Sequence, residues 1–313
     1  MRTTFIETLC ALAEEDERVF LLVGDLGYSV VEPFAERFPD RYVNVGVAEQ
    51  NMTGLAAGLA HCGNVVFTYS IANFPTLRCL EQIRNDVCYH EANVKIVAVG
   101  GGMAYGPQGY THHGVEDLAI LRALPNLAVV APADPVETRL ATRALVDWPG
   151  PCYLRLEKAG EPVVHQTEPK FRIGKGILVR GGSDVTLLSI GGMLQTTLEA
   201  ADLLWNEGGI RARVISLHTL SPFDDDLILA AARETGGIVC IEEHRAPGPL
   251  YGGVAATLIR EGTSCRVAAA NLGEDIAKTA QSRSAYRQLI GLTAPALADR
   301  VRSLLHSKRV VPS

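Results

Sequence analysis

Short runs of β-branched and other apolar residues recur along the first half of the chain, at 18–25 (RVFLLVGD), 42–47 (YVNVGV), 64–70 (NVVFTYS), 94–102 (VKIVAVGGG), 126–134 (NLAVVAPAD) and 152–157 (CYLRLE). The segments between them carry helical periodicity. Continuous apolar strands alternating with helices are the pattern of a parallel sheet covered on both faces. A second series follows at 184–191, 211–220, 237–244 and 264–273. Between the two series, EKAGEPVVHQTEPKFRIGKG (157–176) holds two prolines and several charges, the composition of a linker. The expected class is therefore α/β, with two doubly wound domains at 1–165 and 177–313 joined by a linker at 166–176.

One predicted helix stands apart. Over 49–60, Met52, Leu55, Ala56 and Leu59 recur at i, i+3, i+4 and i+7, which predicts one buried stripe. Gly54, Ala57 and Gly58 make a second, small-residue side, and each glycine costs a helix about 1 kcal/mol. A close contact with another helix, between subunits, would justify that cost.

Composition narrows the function class. With 313 residues, 47% hydrophobic and 20% charged, the chain has material for a large core in two domains. No apolar run reaches the roughly 18 residues of a membrane span, and the start MRTTFIETLCALAEEDERVF lacks a signal-peptide core, so a soluble, cytoplasmic protein is expected. Seven cysteines without a C-x-x-C pair suit reduced, buried thiols better than disulfides or a zinc site. A formal charge of −6 with no basic block argues against nucleic acid as the partner. Small molecules and other proteins remain.

Candidate chemistry gathers at the predicted strand ends. Glu49 sits where a strand gives way to a helix; alone it could simply favour the helix dipole, worth roughly 0.3–1 kcal/mol. Asp25 ends the first strand in GDLGY, Phe74 and Arg78 follow the third in ANFPTLR, and His112 and His113 follow the fourth in GYTHHGVED. In a parallel α/β sheet these positions share the carboxyl rim, where ligands bind. The stretch GGGMAYG misses the G-x-G-x-x-G dinucleotide pattern because Tyr105 takes the last glycine, so it is expected to cup a substrate with bare backbone. In the second domain IEEHRAPGPLYGGV has too few spaced ligands for zinc, and His244 is read as structural or interfacial.

VGVAEQNM (45–52), YSIANFPTLRCLEQIRND (69–86), GYTHHGVEDLAILRALPNLAVVAPAD (109–134) and PCYLRLEK (151–158) resemble, in order and spacing, the pyrimidine-binding domain of transketolase-like thiamine-diphosphate enzymes. Residues from 180 onward resemble the C-terminal domain that follows it. The resemblance implies that Glu49 bonds N1′ of the cofactor's aminopyrimidine and promotes the imino tautomer that activates the thiazolium. It places Phe74 against the aminopyrimidine, with Tyr69 as a substitute and Arg78 beside them. Asp25 falls near the thiazolium and the substrate hydroxyls. His112, with His113 as its neighbour, contacts the substrate near the reacting carbon, and Arg155 binds a sugar phosphate. Two positions depart from the family: Gln108 stands where an acid reads a sugar hydroxyl, and Gly100 where a histidine binds phosphate. The diphosphate-binding domain has no counterpart, since VGDL (23–26) lacks the second glycine and the asparagines of that site. The expected protein is thus the C-terminal subunit of a split transketolase, with no metal ligands of its own. Thiamine diphosphate would be shared with a separate N-terminal subunit that holds Mg2+, in an α2β2 heterotetramer acting on sugar phosphates. A 1-deoxyketose-phosphate synthase using pyruvate, a 2-oxo-acid dehydrogenase β-type subunit and a non-catalytic scaffold are the alternatives.

Overall fold

The structure, a computed structural model, describes residues 1–275 and 278–306; the last residues of the expected second domain, 307–313, lie outside them. Twelve strands form among the described residues: β1 (Val19–Val23), β2 (Tyr42–Asn44), β3 (Val65–Ile71), β4 (Val94–Val99), β5 (Ala128–Val130), β6 (Cys152–Leu156), β7 (Ile177–Arg180), β8 (Val185–Ser189), β9 (Ala212–Ser216), β10 (Thr219–Ser221), β11 (Ile238–Ile241) and β12 (Val267–Ala270). The helices are α1 (Arg2–Glu15), α2 (Glu32–Arg37), α3 (Glu49–His61), α4 (Leu80–Gln82), α5 (Asp117–Arg122), α6 (Pro135–Asp147), α7 (Leu194–Gly208), α8 (Asp225–Glu234), α9 (Pro249–Arg260), α10 (Arg283–Leu289) and α11 (Ala294–His306).

The first sheet runs β10-β5-β6-β4-β3-β1-β2 and the second β12-β11-β8-β9-β7. Every neighbouring pair is parallel except β10 with β5 and β7 with β9. The central strands VVFTYSI and VKIVAV are apolar almost throughout because helices cover both faces. On one face Phe5, Ile6 and Leu9 of α1 meet Phe67 and Tyr69 of β3; on the other Met52 and Ala56 of α3 meet Val66 and Ile96. Each of the larger aliphatic and phenylalanine side chains among them contributes about 1.5–3 kcal/mol. Local signals set the helix ends: Asp134 caps α6 by accepting from the Glu137 amide at 2.8 Å, and Gly209 closes α7 in the left-handed region.

Four details differ from the sequence expectation. The run 211–220 is two strands: β9 stays in the second sheet, while β10 crosses to the first and closes its edge. Strand β7 was not anticipated, because three of its four side chains reach solvent and leave no apolar run. The buried stripe of α3 is Glu49, Met52, Thr53, Ala56 and Ala57, so Leu55 stays exposed and Ala57 belongs to the core. Gly54 and Gly58 face open space, where an added Cβ would meet nothing within 4 Å. The segment 157–176 holds no helix or strand, as a linker should, but it is strapped down: Asp134 accepts from the Val164 and His165 amides, and His165 Nε2 lies 2.8 Å from Glu137.

Candidate active site

The strands of the first sheet deliver their carboxyl ends to one rim. There Glu49 opens α3 and is 1% exposed. A buried carboxylate is costly unless both oxygens find donors. Ser70, on β3, donates from Oγ to Oε1 at 3.0 Å, and the Arg78 guanidinium donates from Nη1 to Oε2. Ser70 faces α3 because alternate residues of a strand point to opposite faces. The backbone of Gly24 packs against the same carboxylate, where a Cβ would come within 3.2 Å of Oε1. The turn after β3 carries Phe74, half-buried, with the Arg78 guanidinium 4.7 Å from its ring centroid. Asp25, exposed at the end of β1, holds a left-handed φ of 53°, which short polar side chains tolerate. Asn44 fixes it by accepting from its amide at 3.2 Å and donating to its carboxylate at 3.0 Å.

The loop after β4 brings the histidine. The Asn73 side chain donates to the Thr111 carbonyl at 3.2 Å, tying this loop to the Phe74 turn. The His112 ring stands edge-on to Phe74, with centroids 5.4 Å apart, and its Nδ1 lies 2.9 Å from Thr111 Oγ1. Tyr105 lies behind it at 6.1 Å, and the Lys158 ammonium stands 5.0 Å from the Tyr105 ring centroid. Glu49, Phe74, Arg78 and His112 are thereby brought together, with Asp25 at the end of the neighbouring strand.

The other expected residues are placed differently. Tyr69 points to the opposite face of β3 and stacks on Phe5 at 6.1 Å, and burial pushes its phenol far up. His113 is buried with its ring edge-on to Tyr286 of α10, and burial lowers its pKa. Gln108 is exposed on a short helical turn. Arg155 is 5% exposed and donates to the Gly114 and Glu243 carbonyls at 2.9 and 3.1 Å, with its Nε 3.5 Å from Asp117. Its Nη2 thereby fastens the two domains. His244 is likewise interior, its Nε2 facing the Ala119 amide across the junction. The triple-glycine turn does not cup a substrate. A side chain on Gly100 would collide with Tyr105, on Gly101 with Arg155 and on Gly102 with Glu243, so the bare backbone is already occupied by the protein itself.

Lys158 was missed. The strand's alternation puts Tyr153, Arg155 and Glu157 on one face, where Tyr153 is taken by Asp117 and the other two by the second domain, and β6 stops at Leu156. The first cation past that edge is Lys158.

The donor set suits an aminopyrimidine: a dry carboxylate for a ring nitrogen, beside an aromatic ring for the flat face of a heterocycle. Among the described residues no three His, Cys, Asp or Glu side chains are grouped to hold a metal, and no helix is long and apolar enough to cross a membrane. The family model for the transketolase pyrimidine-binding domain matches residues 1–161, and that for the transketolase C-terminal domain matches 174–296. A subunit of the apulose-4-phosphate transketolase of Phocaeicola vulgatus is 38% identical over 268 residues, covering 85% of this chain and 86% of its own. The 1-deoxy-D-xylulose-5-phosphate synthase of Heliobacterium modesticaldum is 37% identical across 97% of this chain but only 47% of its own. A solved structure titled as a split gene transketolase, inactive beta4 tetramer, superposes with a TM-score of 0.89 at 37% identity, covering 98% of both chains. The chain belongs to the transketolase family, as a split-type subunit built of its pyrimidine-binding and C-terminal domains.

Proposed function

We propose that this chain supplies the aminopyrimidine half of a thiamine-diphosphate site in a split transketolase that moves a two-carbon ketol unit between sugar phosphates. The single observation that carries the reading is Glu49: a carboxylate sealed from water at the rim, with Ser70 on one oxygen, a planar cation on the other, and Phe74 beside that cation. When bound, the cofactor supplies the carbanion chemistry of C–C cleavage. This chain's residues do the rest. Glu49 holds a proton against the aminopyrimidine, and Phe74 orients the ring. Thr111 engages Nδ1 of His112 and leaves Nε2 to exchange a proton with the substrate oxygen. Asp25, fixed by Asn44, and Gln108 address substrate hydroxyls. Lys158, beyond β6, takes the phosphate-binding role that Arg155 is too buried to fill.

A separate N-terminal subunit would hold the diphosphate and Mg2+. The relative from Phocaeicola vulgatus is itself named as one subunit of a transketolase, which supports a two-chain enzyme. An α2β2 assembly would place two copies of this chain at the centre. A split enzyme is favoured over a single-chain one because that transketolase subunit is covered over 86% of its length, against 47% for the synthase.

The test is Glu49→Gln in the complex reconstituted with the N-terminal subunit. Turnover should drop by ~10²–10⁴ with the fold intact by circular dichroism. Undiminished turnover would sink the reading. Carbon dioxide release from pyruvate by the wild-type complex would move it to the synthase.

A further inference from the structure

Arg78 engages the same two side chains that the proposed function reserves for the cofactor. Its Nη1 donates to Glu49 Oε2, and its guanidinium carbon lies 4.7 Å from the Phe74 ring centroid. A guanidinium is planar and delocalised, donates in its plane to carboxylates and stacks by its face on aromatic rings. An aminopyrimidine protonated on its ring nitrogen has the same attributes. The two cannot share the seat. Ser70 donates to one Glu49 oxygen and Arg78 to the other, and with Arg78 in place the carboxylate is 1% exposed, so a ring nitrogen reaches it only when Arg78 moves aside. Arg78 has somewhere else to go, because its side chain is 42% exposed and lies on the turn leading out of β3.

We propose that Arg78 is a displaceable plug: in the free subunit it occupies the aminopyrimidine seat, compensates the buried carboxylate and excludes the cofactor until the partner subunit adds binding energy at the diphosphate end. The plug rests on the aminopyrimidine reading of Glu49 and Phe74. It makes a prediction opposite in sign to the simpler view of Arg78 as a cofactor ligand. Removing a ligand weakens binding, whereas removing a plug strengthens it by the inverse of the fraction of unplugged molecules.

The experiment uses the full chain without its partner and, as probe, the cofactor's aminopyrimidine fragment, 4-amino-5-hydroxymethyl-2-methylpyrimidine, titrated calorimetrically. Arg78→Ala should bind it at least about ten-fold more tightly than wild type, the gain for a seat plugged in roughly nine molecules of ten. Arg78→Lys should fall between them, since an ammonium pairs with the carboxylate but stacks less well. Methylguanidinium added to Arg78→Ala should compete the probe away, and the double variant Glu49→Gln/Arg78→Ala should lose the gain. If Arg78→Ala does not fold, Arg78→Gln serves in its place. Equal or weaker binding by the Arg78 variants overturns the plug. The aminopyrimidine reading is judged separately, by thiamine-diphosphate binding to the reconstituted complex: if Glu49→Gln leaves that binding and turnover unchanged, the reading fails and the plug with it; if Glu49→Gln impairs them while Arg78→Ala gains nothing, the plug alone fails.

Discussion

A buried carboxylate with no cation in contact holds its proton more tightly, and Glu242 is such a group. It is 0% exposed and accepts from the Leu250 and Tyr251 amides at 2.9 and 3.0 Å, capping α9. Burial pushes its pKa up to about 7 from 4.5, although those two amides and the charges of Arg155 and Arg122 pull the other way. The native state therefore binds the proton more tightly than the unfolded chain. The resulting stabilisation is complete below pH 4.5 and is lost as pH rises to 7. A shift of that size corresponds to on the order of 3 kcal/mol. Relative to Glu242→Gln, which does not titrate, the wild type should lose stability between pH 5 and pH 8; urea midpoints of both proteins at the two pH values measure it. A difference independent of pH would show that Glu242 is ionised throughout. Glu49 was legible in the sequence because an acid between a strand and a helix stands out against apolar neighbours. The burial of Arg155 was not, because it depends on where β6 stops and on what the second domain lays over its side chains.

Elements were legible in proportion to how fully they are buried on both faces. β3 and β4 read directly as apolar runs, whereas β7, pairing at an edge with three side chains toward solvent, left no run to see. The split of 211–220 between two sheets was invisible for a different reason: β9 and β10 are both buried, and nothing in their residues says which sheet each joins. The turn after β4 shows how an element can be read correctly as irregular and wrongly in purpose. Its glycines make room for Tyr105, Arg155 and Glu243, so the turn is a packing device. Gly101→Ala would drive a methyl group into the Arg155 side chain, which cannot retreat from its bonds to the Gly114 and Glu243 carbonyls. Overpacking of this kind costs typically 1–3 kcal/mol. Thermal melts should show that loss, and turnover of the reconstituted complex should fall further than stability alone explains. An unchanged melting temperature would mean that Arg155 yields freely.

At the scale of the whole molecule the two sheets are not independent. One apolar cluster runs from Met52 and Ala56 of α3 through Leu121 of α5 to Ile228 of α8 and Val254 of α9. β10 completes the first sheet from within the second half of the chain, and Glu243 receives Arg283 and Arg287 from α10 beneath the Gly102 turn. A chain locked in this way presents its rim and its outer helix faces as rigid surfaces. The outer face of α3, with Gln50, Asn51, Gly54, Leu55 and Gly58 exposed, is the surface on which the sequence asked for a close neighbour. Two effects of opposite sign make that expectation testable. Within a single chain nothing lies within 4 Å of a Cβ at Gly58, so Gly58→Arg should fit and should strengthen α3 by up to about 1 kcal/mol through helix propensity. If two copies meet across this face, the same side chain separates them. The expected result is a subunit whose helix content is kept or raised while sedimentation velocity shows a shift to a smaller species, with Gly54→Ala giving a milder version of both changes. A Gly58→Arg protein that sediments as the wild type does would move the contact between copies to another face and leave the two glycines of α3 without a structural reason.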